Sequence, residues 1–235
     1  MRSGTLDADP QLQGSLIEDL LRALLSPDLA EIVALTLRVT GTALLISTII
    51  GVPLGALLGL SKFPGKTLIR VVLYTGMGLP PVVVGLFVYL TLSRSGPLGT
   101  LGLLFTPTAM IIAQSIIALP LTMGLTMISV ESVNPELKRQ IVALGATRAQ
   151  AAWTILREAR IGVTAAIVAA FGGIISEVGA VILVGGNIEG ETRVLTTAIV
   201  LNTRTGDFSL ALALGAILLA ITFVVNVGLM RLQGK

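Results

Sequence analysis

The sequence contains no cysteine and no histidine among its 235 residues. The lack of cysteine excludes disulfide bonds and thiolate nucleophiles, and the lack of histidine excludes catalytic schemes that use an imidazole as acid or base. Zinc sites built from either residue are excluded as well. Aromatic residues make up only 4% of the chain. The chain therefore lacks the residue types on which many enzymes and metal sites depend.

Charge is scarce too, at 12% of residues, whereas about 25% is usual in soluble domains. Apolar residues account for 54% of the chain, and there are 26 glycines. Such a chain has too few polar residues to cover a core in water, but it suits a lipid bilayer, in which glycine-rich helices pack closely. The net charge of +3 comes from a few loop residues and does not indicate binding to nucleic acid. The sequence predicts an all-α membrane protein.

Five stretches are apolar enough to cross a bilayer as helices, which takes about 20 residues each. They are residues 39–61, 71–93, 108–130, 161–184 and 208–230. The predicted transmembrane domain covers residues 31–230.

Residues 1–30 are predicted to be an extracytoplasmic segment. Within it, residues 16–25 have the apolar spacing of an amphipathic helix that is too polar to span a bilayer. Such a helix suits the membrane surface or, alternatively, a docking partner.

Basic residues in loops predict the orientation, because Lys and Arg concentrate on the cytoplasmic side of membrane proteins. They occur after the first span, after the third span and in the tail: Lys62, Lys66, Arg70, Lys138, Arg139, Arg148, Arg157, Arg160, Arg231 and Lys235. Acidic residues dominate on the other side. We therefore expect an extracytoplasmic N-terminus and a cytoplasmic C-terminus, in a multi-pass protein of the cell inner membrane.

Residues 131–160 form a long polar stretch on the predicted cytoplasmic side. Asn134 suits a helix N-cap, Gly145 suits a helix end, and Thr147 suits the cap of a second helix. The pattern predicts two short helices lying along the membrane face. They fit either a groove on a cytoplasmic partner or a plain interfacial loop.

The segment Val142-Ala143-Leu144-Gly145-Ala146-Thr147, with Ile155 ten residues after the Gly, resembles the coupling loop of ABC importer permeases. In that family a short cytoplasmic helix docks into the ATPase subunit. The chain departs from the family at residues 139–141, Arg-Gln-Ile in place of Glu-Ala-Ala, and at Glu158, in place of Pro. The resemblance implies an ATPase-coupling role for Glu136, Val142, Ala143, Leu144, Gly145, Ala146 and Thr147.

Other segments resemble the type I permeases for tungstate, molybdate and sulfate, with tungstate permeases the closest. The resemblance is carried by residues 36–39, 51–55, 79–86, 177–180, 185–188 and 192–199. It implies a homodimer that works with an extracytoplasmic solute-binding protein and a cytoplasmic dimer of ABC ATPases. ATP and Mg²⁺ would be held by the ATPase, and this chain would bind no cofactor.

Gly65-Lys66-Thr67 has the appearance of the end of a phosphate-binding loop. That motif needs a glycine at position 60 and a preceding strand, whereas position 60 is Leu and follows an apolar span. We therefore predict a tight cytoplasmic turn here, and a separate subunit must hydrolyse ATP.

Seven residues are candidates for the translocation path or gate: Pro80, Pro81, Glu177, Thr192, Arg193, Thr196 and Thr197. The Pro pair predicts a kink that is either structural or lines the path. Glu177 is the charged residue within a span and would repel an oxyanion, which favours a structural acceptor. The Thr hydroxyls line the route or else bond to nearby backbone, and Arg193 would hold the outer gate or face the binding protein.

The sequence thus predicts that the chain is the permease of an oxyanion importer, with tungstate as the favoured cargo. Molybdate, sulfate or another small solute is the alternative cargo. An intramembrane enzyme would need a carboxylate pair or a buried nucleophile, and only Glu177 is available. A secondary transporter would show internal repeats and ionisable relays in its spans, and neither is found.

Overall fold

The computed structural model describes residues 27–231, which form α-helices and one 3₁₀-helix (Gly99–Leu101) and contain no strand. The helices, in chain order, are α1 (Pro27–Leu60), α2 (Lys66–Met77), α3 (Pro81–Leu92), α4 (Pro107–Glu131), α5 (Pro135–Ala143), α6 (Arg148–Glu158), α7 (Arg160–Ile175), α8 (Gly179–Gly185), α9 (Leu195–Thr205) and α10 (Phe208–Arg231). The predicted all-α fold is confirmed. The amphipathic helix predicted at residues 16–25 lies outside the described residues.

Within residues 27–231, three helices are long and apolar enough to cross a membrane alone: α1, α4 and α10. They coincide with the predicted spans at residues 39–61, 108–130 and 208–230. Helix α1 has 34 residues, or about 51 Å at the usual rise per residue, so it extends beyond a hydrocarbon layer about 30 Å thick. Five crossings are reached only if two strongly bent helix pairs, α2–α3 and α6–α7, each count as one.

The other two predicted spans are not continuous helices. Residues 71–93 contain α2 and α3, which meet at an angle of 95°. Pro81 is the first residue of α3 and Pro80 is extended, because neither ring is compatible with a helix interior. Residues 161–184 are divided at Ser176–Val178 into α7 and α8. Both breaks expose backbone groups inside what hydropathy alone reads as one span.

The main packing contact of the fold joins α1 to α4. The two helices run parallel, and Gly51, Gly55 and Gly59 of α1 face α4 at one-turn intervals. A Cβ atom at Gly59 would lie 2.8 Å from Val130 Cγ1. The absence of side chains on this stripe therefore sets how closely the two backbones approach.

Separate apolar clusters lie at the two ends of this helix pair. The cluster at the N-terminal ends includes Val39, Met110, Val84, Val181 and Val194. The cluster at the C-terminal ends includes Ala56, Val130, Val133, Ile141 and Ile155. The chain between α1 and α4 returns from one end to the other through α2 and α3. The two ends therefore present different elements, and the candidate sites divide between them.

Candidate coupling loop and translocation path

The helix pair α5–α6 begins and ends where the sequence pattern predicts. The Oδ1 atom of Asn134 accepts the amide hydrogen of Glu136 at 2.8 Å, as an N-cap does. Helix α5 ends at Ala143, one residue earlier than expected, and Gly145 follows with φ +79°. That left-handed conformation is easily adopted by glycine and is costly for a β-branched residue. The backbone thus turns sharply at Gly145.

Thr147 caps α6 through a reciprocal pair of hydrogen bonds. Its hydroxyl accepts the Gln150 amide at 3.3 Å, and the Gln150 side-chain oxygen accepts the Thr147 amide at 2.8 Å. This capping box satisfies donors that a helix start otherwise leaves open. The cap fixes the direction in which α6 leaves the turn.

The loop has a buried face and an exposed face. Ile141 and Ile155 are buried in the cluster at the C-terminal ends of α1 and α4. Leu144 is 87% exposed and Trp153 is 69% exposed. Leu144 lies in the turn and Trp153 lies within α6, so each element of the loop presents one large apolar side chain to its surroundings. Glu136 and Thr147 are exposed, and Ala146 is half-buried.

The Pro80–Pro81 pair lies at the sharp bend between α2 and α3. The Pro80 carbonyl accepts the amide of Val83 at 2.9 Å and starts α3. Val84 and Val88 of α3 then pack into the cluster at the N-terminal ends of α1 and α4. The pair therefore redirects the chain and leaves irregular backbone between two apolar helices.

Glu177 lies in the second break, between α7 and α8, and is half-buried. Its Oε1 atom accepts the Ala180 amide at 2.9 Å. Its backbone carbonyl accepts the hydroxyl hydrogen of Thr196 at 3.1 Å. The structure thus brings two of the predicted path residues, Glu177 and Thr196, into direct contact.

The three predicted threonines are buried, and each donates its hydroxyl to a backbone carbonyl. Thr192 donates to Gly185 at 2.6 Å and accepts the Ile188 amide at 2.9 Å. Thr197 donates to the Val194 carbonyl at 3.0 Å and accepts the Val194 amide at 3.1 Å. These bonds organise the turn before α9.

Arg193 borders a cavity of about 1000 Å³ at the N-terminal end of α1. Its guanidinium lies 3.3 Å from a carboxylate oxygen of Glu189. The cavity lining carries more acidic than basic side chains: Asp28, Glu31, Glu189, Glu191 and Asp207 against Arg38 and Arg193. Arg193 is thus distant from the α5–α6 loop, which packs at the opposite end of α1.

Several residues that join the helices were not found from the sequence. Gln114 donates its amide to the Ile174 carbonyl at 3.0 Å and ties α4 to α7. The Thr36 hydroxyl accepts the Leu195 amide at 3.0 Å and ties α1 to the start of α9. Both are polar residues in apolar helices, which is a usable signal, but their partners are far away in the sequence.

A second missed group is the ion cluster of Lys66, Arg70 and Glu131. The spacing of Lys66 and Arg70, one helical turn apart, can be read from the sequence. Their pairing with Glu131 cannot, because Glu131 follows 61 residues after Arg70. No group of three or more Cys, Asp or Glu side chains among residues 27–231 is arranged to hold a metal ion.

The architecture, a helical membrane domain with broken spans and an exposed helical loop at one end, suits a membrane transport subunit. Residues 51–234 match the family described as "Binding-protein-dependent transport system inner membrane component". The chain belongs to this family, and it is the permease of an ABC importer.

The chain is 47% identical over 203 residues to the "Probable anion ABC transporter permease protein" of Haloferax volcanii, covering 84% of this chain and 88% of the relative. It is 44% identical over 207 residues to the "Tungstate uptake system permease protein TupB" of Peptoclostridium acidaminophilum, covering 88% and 91%.

The fold is also similar to a solved structure of "a bacterial ABC transporter involved in the import of the acidic polysaccharide alginate". The TM-score is 0.73, with 20% identity, over 95% of this chain and 88% of that chain.

Proposed function

We propose that this permease imports tungstate or a closely related tetrahedral oxyanion, driven by ATP hydrolysis on a separate subunit. The single observation that supports tungstate as the transported ion is the 44% identity to a tungstate uptake permease over nearly the whole chain. The similarity to a probable anion permease supports the same class of cargo.

The proposed assembly is a homodimer of this chain with two cytoplasmic ABC ATPase subunits and an extracytoplasmic solute-binding protein. The ATPase would bind ATP and Mg²⁺. The α5–α6 loop is its proposed docking element, since Leu144 and Trp153 are exposed there while Ile141 and Ile155 anchor the loop to α1 and α4. The family description supports dependence on a binding protein.

The proposed orientation places the α5–α6 loop in the cytoplasm and the cavity beside Arg193 outside. Lys62, Lys66, Arg70 and the basic residues of α5–α6 lie at the loop end, as the positive-inside rule requires. The acidic lining of the cavity lies at the other end. A free dianion is repelled by such a lining, so delivery by a docked binding protein suits this surface.

The proposed path runs past the two breaks, at Pro80–Pro81 and at Ser176–Val178. Irregular backbone within spans is tolerated where it lines a cavity or is buried in protein. Thr192, Arg193, Thr196 and Thr197 lie on the segment that follows the second break. In this proposal the three threonines line the path near its outer mouth, and Arg193 holds the outer gate or faces the binding protein. The five apolar stretches identified in the sequence contain no Lys or Arg that would trap a dianion, and brief binding is compatible with throughput.

The proposed mechanism is alternating access. ATP closes the ATPase pair, the loop around Gly145 moves with it, and the path opens to the binding protein. A ligand can shift such an equilibrium only through contacts that differ between the two states. The exposed face of the loop supplies contacts that depend on the ATPase state.

The coupling role is tested with Gly145→Val combined with Ala146→Asp. Valine is strained at φ +79°, and aspartate at Ala146 places a charge against the apolar cluster that anchors the loop. We expect the variant complex to hydrolyse ATP without tungstate uptake in proteoliposomes. Gly102→Val is the matched control, because Gly102 also has a positive φ, +60°, has nothing within 4 Å of its ideal Cβ position and lies far from the loop. Full ATP-driven uptake by the double variant would exclude a coupling role for the α5–α6 loop.

A further inference from the structure

A cluster of three charges lies where the C-terminal ends of α1 and α4 meet the start of α2. Nζ of Lys66 lies 2.9 Å from Oε1 of Glu131. One terminal nitrogen of Arg70 donates to both carboxylate oxygens of Glu131, at 2.7 and 2.9 Å. Two cations one turn apart on α2 thus hold one carboxylate at the end of α4.

Lys66 extends the cluster to a third helix. Its Nζ also donates to the carbonyl of Ser61 at 2.8 Å and to that of Gly59 at 3.4 Å. These carbonyls are among the groups left open at the end of α1, where a cation is favourable. The three charges therefore join α1, α2 and α4.

The cluster is partly shielded from solvent, since the side chains of Lys66, Glu131 and Arg70 are 20%, 27% and 38% exposed. Glu131 is the last residue of α4, and only three residues separate it from α5. The cluster is thus placed at the point where the coupling loop joins the membrane helices.

The C-terminal end of α2 also packs closely against α4. A Cβ atom at Gly76 would lie 3.0 Å from Cβ of Pro120, and one at Gly124 would lie 2.6 Å from Sδ of Met77. Helix α2 therefore contacts α4 along its length and ends directly before the 95° bend at Pro80.

We propose that Lys66, Arg70 and Glu131 are positioning residues that transmit movement of the coupling loop through α4 and α2 to the Pro80–Pro81 break. The inference rests on the proposed function. Without the cluster, the loop still docks, but α2 no longer follows α4. ATP is then hydrolysed with fewer ions imported.

The test measures ATP hydrolysed per tungstate ion imported, in proteoliposomes that contain the whole complex. Glu131→Gln keeps the side-chain shape and removes the charge. We expect it to raise the ratio about three- to tenfold, within the range seen for residues along coupled networks. Arg70→Glu combined with Glu131→Arg restores an opposite-charge pair, and we expect it to lower the ratio again. Lys62→Gln is the control, since it removes an exposed cation from the same loop.

A second readout reports the geometry directly, because the chain has no native cysteine. Spin labels on Thr67→Cys and Ser132→Cys, both at exposed positions, measure the distance between α2 and the end of α4. We expect a narrow distance distribution with and without ATP, and a broad one after Glu131→Gln. An unchanged ratio and an unchanged distribution in Glu131→Gln would overturn the positioning role. Failure of the unmodified complex to import tungstate would instead count against the proposed function.

Discussion

Glu177 shows how one side chain can be both charged and structural within an apolar segment. Its carboxylate accepts the Ala180 amide and its carbonyl accepts the Thr196 hydroxyl. Both contacts need an oxygen acceptor, and neither needs a negative charge. The carboxylate therefore organises the break between α7 and α8.

This geometry predicts different outcomes for two substitutions of Glu177. Glu177→Gln keeps an oxygen that accepts the Ala180 amide, so we expect normal membrane levels and uptake close to that of the unmodified chain. Glu177→Ala leaves the amide without its acceptor, and we expect a loss of stability of about 1–3 kcal/mol. Uptake assays and thermal melts of the purified complex measure both.

Loss of uptake in Glu177→Gln at normal membrane levels would show that the negative charge itself is needed.

Single residues also show which contacts can be predicted from the sequence and which cannot. Asn134 and Thr147 were found as caps because the cap and its amide partner lie within three residues of each other. Gln114, Thr36 and Glu131 act on partners 60 or more residues away. A local pattern in one sequence cannot show which residues that far apart will meet in the fold.

At the scale of elements, the fit of α1 against α4 depends on glycine. A Cβ atom at Gly55 would collide with the Met123 carbonyl and lie 2.9 Å from Cβ of Thr126. Gly41, on the same helix, has nothing within 4 Å of its ideal Cβ position.

Gly55→Ala is therefore expected to force α1 and α4 apart and to lower stability by about 1–3 kcal/mol, as overpacking does. Gly41→Ala is expected to be neutral or stabilising, because alanine favours a helix over glycine. Thermal melts of the two variants in detergent measure the difference. Equal melting temperatures for the two would contradict the close approach of α1 and α4.

Hydropathy predicted where the apolar stretches lie, and α1, α4 and α10 match it as single helices. It did not predict that residues 161–184 are broken, because Ser176–Val178 contain neither proline nor glycine. The break is supported by bonds from Glu177 and Thr196, which come together only in the fold. The break at Pro80–Pro81 was predicted as a kink, although its angle of 95° is larger than a kink implies.

At the scale of the whole molecule, the helices present two different ends. One end carries basic residues and an exposed apolar turn around Leu144. The other carries a cavity with an acidic lining. The missing histidine and cysteine pointed away from catalysis, and family membership now places the chain in a transport system. Within the proposed assembly, the basic end faces the ATPase and the acidic end faces the binding protein.

The most direct test is ATP-driven uptake of labelled tungstate into proteoliposomes that contain this chain. The account predicts uptake that requires the ATPase subunit with Mg²⁺ and ATP on its side of the membrane and the tungstate-loaded binding protein on the other. Inhibition of this uptake by molybdate and by sulfate then shows which of the three oxyanions is preferred. Uptake by this chain alone, driven by an ion gradient, or the absence of uptake for all three oxyanions in the complete system would contradict the account.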